Sequence, residues 1–174
     1  MDHEDYMRRA LELAAQAVEE GDVPVGCVIV RDGAIIGEGR NRREERGDAT
    51  AHAELEAIRA ACENIGSWRL HRCTMYVTLE PCPMCAGGIM NARISEVHYG
   101  TRDERAGACG SVLNLFEERF HHRPRLYRGP LEEECRALLQ KFFQNLRGNP
   151  ENNAKVQCFC NNSCCIFSQT VGII

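Results

Sequence analysis

Thr74-Met75-Tyr76-Val77-Thr78-Leu79-Glu80-Pro81-Cys82-Pro83-Met84-Cys85-Ala86-Gly87-Gly88-Ile89-Met90 is the stretch on which the fold turns. Thr74 to Leu79 is rich in β-branched and aromatic residues and reads as a strand. Pro81 then opens a helix carrying Cys82, Cys85, Ile89 and Met90, because proline suits a first helical turn. Glu96 to Tyr99 reads as a further strand, so the segment is strand, helix, strand.

Working outward, Thr50 is expected to cap a helix running to about Ile65, with Leu55 and Ile58 on its inner face. Upstream, Val25 to Val30 and Ala34 to Gly39 are apolar runs flanking Asp32-Gly33, a hairpin signal. Arg40 to Thr50 is polar and loop-like. Asp2 to Glu20 places Tyr6, Met7, Ala10, Leu11, Ala14, Ala17 and Val18 at spacings of three and four, which predicts an amphipathic helix stopped by Gly21. Downstream come a glycine-bearing loop, a short amphipathic piece at Leu113 to Phe116, a fifth strand at Arg125 to Tyr127, and a last helix from Leu131 to Arg147. A hairpin followed by alternating strands and helices predicts a three-layer α/β domain with a mixed sheet.

The chain has 174 residues, of which 44% are hydrophobic and 26% charged, the composition of an ordinary globular domain. We expect a domain over residues 1–148 and a cysteine-rich tail over 149–174 that is poorly ordered. No apolar run approaches the roughly 20 residues of a membrane span, and the N-terminal residues lack a secretory core. A cytoplasmic location is expected. Eleven cysteines, an odd number, fit reduced thiols and a metal site better than a disulfide framework. A net charge of −4 argues against a generally basic nucleic-acid binder. Arginines nevertheless group locally, at Arg40, Arg42, Arg43 and Arg46 and again at Arg119, Arg123, Arg125 and Arg128. Charge alone reads these as solvated faces.

The chemistry lies in His52-Ala53-Glu54 and in Pro81-Cys82-Pro83-Met84-Cys85, about thirty residues later. Zinc takes imidazole and thiolate ligands and prefers tetrahedral geometry. A Cys-x-x-Cys at the start of a helix brings two sulfurs to one ion, and the helix's positive end favours their ionised form. With His52 as third ligand, a fourth position stays open to water, the feature that separates catalytic from structural zinc. Glu54, two residues from a ligand, is placed to move protons between that water and a substrate. Either motif alone is a weak signal, since Cys-x-x-Cys also marks zinc knuckles and redox pairs. Cys62 or Cys73 could serve as a fourth protein ligand, which would close the site.

At these residues the chain resembles the cytidine-deaminase superfamily, itself the type case of zinc-assisted base deamination, and most closely its bacterial tRNA adenosine deaminase branch. The similar segments span most of residues 5–147. They include Asp22-Val23-Pro24-Val25-Gly26, Gly39-Arg40-Asn41-Arg42, Thr50-Ala51-His52-Ala53-Glu54, Tyr76 through Gly87, Tyr99-Gly100-Thr101-Arg102-Asp103 and Cys135-Arg136-Ala137-Leu138-Leu139. The resemblance implies a three-layer α/β/α cytidine-deaminase-like domain with a mixed five-stranded sheet. It implies one zinc per chain on His52, Cys82 and Cys85, with Glu54 catalytic, and a homodimer that converts the wobble adenosine of a tRNA anticodon loop to inosine. By position, Asn41 would hydrogen-bond the target base, Val23, Pro24 and Ala53 would border it, and Asp103 and Phe142-Phe143 would lie near flanking nucleotides.

The tail departs from the family, where a basic end is common. Cys158, Cys160, Cys164 and Cys165 could bind a second metal, but no histidine accompanies them. Asn161-Asn162-Ser163 matches a glycosylation acceptor pattern, without consequence for a cytosolic chain. Two other functions compete with the tRNA reading: a deaminase of free purine bases such as guanine, and a zinc-stabilised RNA-binding module in which Glu54 is only a surface residue.

Overall fold

The computed structural model describes residues 2–148. The described residues fall into two units, one running to Leu139 and a second beginning at Gln140. The expectations for the cysteine-rich tail and for Asn161 lie outside the described residues.

Helix α1 (His3–Glu19) begins at a reciprocal cap, with Asp2 and Asp5 each accepting the other's backbone N–H. It buries Tyr6, Met7, Ala10, Leu13, Ala14 and Ala17. Leu11 is only half-buried and Val18 is exposed, so the buried stripe is centred nearer Leu13 than the sequence spacing indicated. Strands β1 (Gly26–Arg31) and β2 (Ala34–Arg40) form the expected hairpin. Asp32 and Gly33 both take positive φ, at 50° and 81°, as a tight turn matched to strand twist requires. The stretch read as loop contains a short helix, α2 (Arg43–Arg46), held by the buried Asp22 carboxylate, which accepts from Glu44 N at 3.1 Å and Glu45 N at 3.2 Å.

Helix α3 (Ala53–Ile65) starts later than expected: its N-cap is His52, not Thr50. Thr50 instead donates from both its backbone and its hydroxyl to Asp48. The fully buried residues of α3 are Ala53, Glu54, Ala57 and Ala61, while Ile58 packs half-buried against the same core as expected and Leu55 is half-buried. The reason lies across the interface. Gly37 and Gly39 of β2 sit directly beneath the α3 backbone, and a Cβ on either would collide with Ala53, Ala57 or Ala61. Only small residues fit so close an approach. Leu55 and Ile58 turn toward Gly88 of the next helix.

Strand β3 (Cys73–Leu79) leads to helix α4 (Pro83–Ala92), whose N-cap is Cys82; the proline in its first turn is Pro83, not Pro81. Strands β4 (Glu96–Thr101) and β5 (Arg125–Arg128) and helix α5 (Glu132–Gly148) follow, with a single 3₁₀ turn at Leu115–Glu117 between β4 and β5.

The five strands lie in the order β2-β1-β3-β4-β5. β1 runs antiparallel to both neighbours, and β3, β4 and β5 are mutually parallel, so the sheet is mixed as expected. Side chains alternate across it. Cys27, Ile29, Met75, Val77, Val97 and Tyr99 pack with α3 and α4 on one face. Val28, Val30 and Tyr76 pack with α1 and Cys135 on the other. The result is three layers, α/β/α.

The register fixes where a site can form. Arg40, Gly26 and Thr101 lie at one edge with Leu79, because Gly26 pairs with Arg40, Cys27 with Val77, and Leu79 with Thr101. Four segments therefore emerge side by side: residues 22–25 before β1, Asn41 after β2, Glu80 to Cys82 after β3, and residues 102–111 after β4. The segments that follow parallel strands are where α/β sheets usually place ligands.

Candidate active site

Two helix N-termini converge on that edge. His52 and Cys82 are the N-cap residues of α3 and α4, both with extended backbone and neither with a side-chain cap. Their side chains are thus free of the helix ends and turn toward each other. His52 Nδ1 lies 3.7 Å from Cys82 Sγ and 3.5 Å from Cys85 Sγ. All three ligand atoms fall within 4.8 Å of one another. Tetrahedral zinc, with Zn–S of about 2.3 Å and Zn–N of about 2.0 Å, requires S···N separations of about 3.6 Å. The donor set and its spacing fit that ion. Among the described residues no other group of histidine, cysteine or carboxylate side chains meets the same test.

Cys62 and Cys73 do not join the cluster. Cys73 begins β3 and Cys82 follows its end, about 20 Å away at 3.3 Å per strand residue. All seven cysteines among the described residues are unpaired.

Electrostatics prepare the cluster for a cation. Hydrogen bonds from Cys85 and His52 pull the Cys82 thiol down to about 4. Cys85 is pushed up, first by its hydrogen bond to Cys82 and then by burial. The hydrogen bond between the two sulfurs thus favours the thiolate at Cys82 and the thiol at Cys85; a divalent ion held there would require both as thiolates. His52 is raised, mainly through its contact with Cys82.

Glu54 sits in the first turn of α3, only 4% exposed. Burial pushes its carboxyl up to about 7. A buried acid that titrates near neutrality can both take and give a proton, as general acid–base work demands. It is not one of the three convergent ligand atoms.

Asn41, 6% exposed, accepts the Ala53 N–H at 3.0 Å through Oδ1 and donates its own N–H to Val25 O at 3.0 Å. Its carbonyl end is thereby committed to the start of α3, which leaves its amide –NH2 as the end able to donate elsewhere. Pro24 is buried and Val23 half-buried against the core cluster beside the same segment. Asn41, Val23, Pro24 and Ala53 are thus brought together. Asp103 joins the edge from the loop after β4, but its Oδ1 is engaged by Arg105 N at 3.0 Å and Ala106 N at 3.3 Å. Phe142 and Phe143 belong to the second unit, where their rings meet edge to face at 5.4 Å.

Much of the arginine grouping is internally neutralised. Arg40 and Arg42 both approach Glu45, at 3.0 and 3.1 Å, and Arg46 pairs with Glu56 at 2.8 Å. Arg125 pairs with Glu96 and Arg128 with Glu132.

Two buried carboxylates at the edge carried no signal of their own in the sequence. Asp22 holds α2, and Glu80, 2% exposed, holds the loop after β4. Both fall inside segments of family resemblance, Asp22-Val23-Pro24-Val25-Gly26 and Tyr76 through Gly87, which assigned them no role.

The model of the MafB19-like deaminase family matches residues 1–147. The chain belongs to that family. This deaminase is 46% identical to the tRNA-specific adenosine deaminase of Bacillus subtilis strain 168, over 82% of this chain and 89% of that one. Among solved structures it resembles one from a study of A-to-I editing by tRNA:A34 deaminases at the wobble position, with a TM-score of 0.76, 44% identity, and coverage of 78% and 99% of the two chains. A guanine deaminase from Bacillus subtilis matches with a TM-score of 0.58 and 38% identity, over 86% and 96%. Enzymes of this kind are hydrolases, and the expected cytidine-deaminase-like fold is the one observed.

Proposed function

We propose that this chain is a zinc-dependent tRNA adenosine deaminase that converts the wobble adenosine of an anticodon loop to inosine. The reading is carried by one observation: three convergent ligand atoms beside a buried carboxylate, in a chain of which 82% aligns with a tRNA-specific adenosine deaminase.

His52, Cys82 and Cys85 would hold the metal, which when bound supplies Lewis acidity and makes water more acidic near neutral pH. Glu54 takes a proton from the attacking water and delivers it to the ring of the base. The C6–O bond forms; Glu54 then takes the remaining proton from the new C6 hydroxyl and passes it to the exocyclic amine, so that the C6–N bond breaks as the C6 carbonyl forms and ammonia leaves. Asn41 donates from its amide to the base, with Val23, Pro24 and Ala53 bordering it. Burial of these groups excludes bulk water and strengthens each polar contact.

An anticodon loop suits the site because its bases are already unpaired and cost little to extract. The chain works as a homodimer in the cytoplasm. Met84, exposed on α4 beside an open Gly87, together with Val112 and Leu113, offers apolar surface for self-association. No helix among the described residues is long and apolar enough to cross a membrane.

The test is a substrate comparison with purified protein. About one zinc per chain and ammonia release from an adenosine-bearing anticodon stem-loop, with inosine in the product, are expected. Turnover of free guanine with no action on the RNA overturns the reading in favour of a free-base deaminase. Light scattering checks the dimer.

A further inference from the structure

We infer that Glu80 is a positioning residue that fixes the loop after β4 as the platform for nucleotides flanking the target base; this rests on the tRNA reading above.

Glu80 stands between the end of β3 and Pro81-Cys82, so it borders a metal ligand by sequence and the loop by contact. Each carboxylate oxygen serves two donors. Oε1 accepts from Cys109 N at 2.9 Å and Ser111 N at 3.1 Å. Oε2 accepts from Asp103 N at 3.2 Å and from the Ser111 hydroxyl. The loop is drawn onto this one side chain from both of its ends. Gly107 lies directly over it, where a Cβ would collide with the Glu80 carboxyl carbon. The Ala108 N–H completes the seat, donating to Pro81 O at 2.8 Å. Nothing about folding the sheet requires this arrangement, since β3 and β4 are already paired from Thr74 to Leu79. What the carboxylate adds is a fixed position for the whole loop, Asp103 included, against the Pro81-Cys82 turn where Ala108 is seated.

The geometry makes a specific forecast for Glu80→Gln. An amide has one acceptor oxygen, so its –NH2 must face one of the two donor pairs. Facing Cys109 N and Ser111 N would oppose two fixed backbone donors. Facing Asp103 N and the Ser111 hydroxyl is less costly, because the hydroxyl can turn and accept. The variant therefore keeps Cys109 and Ser111 and releases Asp103.

The experiment uses full-length zinc-loaded protein, wild type and Glu80→Gln, with hydrogen exchange and steady-state kinetics on the anticodon stem-loop. Faster exchange at the Asp103 amide is expected, with Cys109 and Ser111 still protected. KM should rise roughly tenfold, the scale of one lost hydrogen bond to a charged group, while kcat stays within about threefold. Gly107→Ala is the second variant. It leaves the carboxylate intact yet lifts the loop from it, and should raise KM in the same way. An unchanged KM in both variants overturns the inference. So does a parallel fall in kcat and zinc content, which would make Glu80 a prop for the metal turn. If wild type itself ignores the RNA, the functional reading has failed rather than this one.

Discussion

Replacing Glu54 by Gln separates chemistry from metal binding and carries an unusual stability signature. The side chain keeps its volume in a site only 4% exposed, so packing is preserved, and none of the three ligand atoms is removed. Loss of a positioned proton carrier typically costs about 10²–10⁴ in rate, or roughly 3–5 kcal/mol of transition-state stabilisation. We expect kcat to fall by that factor while zinc remains near one per chain. In metal-stripped protein the same substitution should stabilise. Burial pushes the carboxyl from 4.5 to about 7 on folding, so ionisation costs the folded state. That cost is absent below the unfolded value, grows as pH rises, and is complete above about 7. A shift of this size corresponds to roughly 3 kcal/mol. Metal-free Glu54→Gln should therefore melt higher than metal-free wild type at pH 8, with the two converging near pH 4.5. The assays are single-turnover deamination, metal analysis and thermal melts across pH. Retention of more than about a tenth of wild-type kcat, or loss of zinc in step with activity, would refute the assignment of Glu54.

Other perturbations test other parts. His52→Ala removes one of three convergent ligand atoms and should abolish both activity and stoichiometric zinc while leaving a cooperative melt; full zinc content in the variant would place the metal elsewhere. Gly39→Ala forces a methyl into the α3 backbone and should cost about 1–3 kcal/mol, read from denaturant midpoints. An unchanged midpoint would mean that α3 and β2 are not so tightly apposed. His98 is stacked by His3, Tyr76 and Tyr127 and faces Glu96, and its Nε2 has no hydrogen-bond partner. Burial, with His3 nearby, lowers its pKa, so the folded chain binds fewer protons than the unfolded one and loses stability as pH falls below about 6.5. His98→Phe should flatten that part of the melting profile, and an identical pH dependence in both proteins would exclude His98 as its source.

The sequence by itself determined the elements and the chemistry's vocabulary. Asp32-Gly33 specified a hairpin, the apolar run at Thr74 to Leu79 a strand, and Cys82-x-x-Cys85 a pair of sulfurs on one helical turn. Each of these depends on neighbours within a few residues, through backbone preference and side-chain period. Tertiary structure decided the rest, because it depends on partners dozens of residues away. Thr50 looked like a cap, but the close approach of α3 to Gly37 and Gly39 set the helix start at His52 and turned alanines inward. That shift left the imidazole outside the helix and within reach of two sulfurs thirty residues later. Neither Glu80 nor Asp22 had a role that local sequence could assign. Only the sheet register, by carrying three strand ends to one edge, gave their carboxylates loop amides to bind.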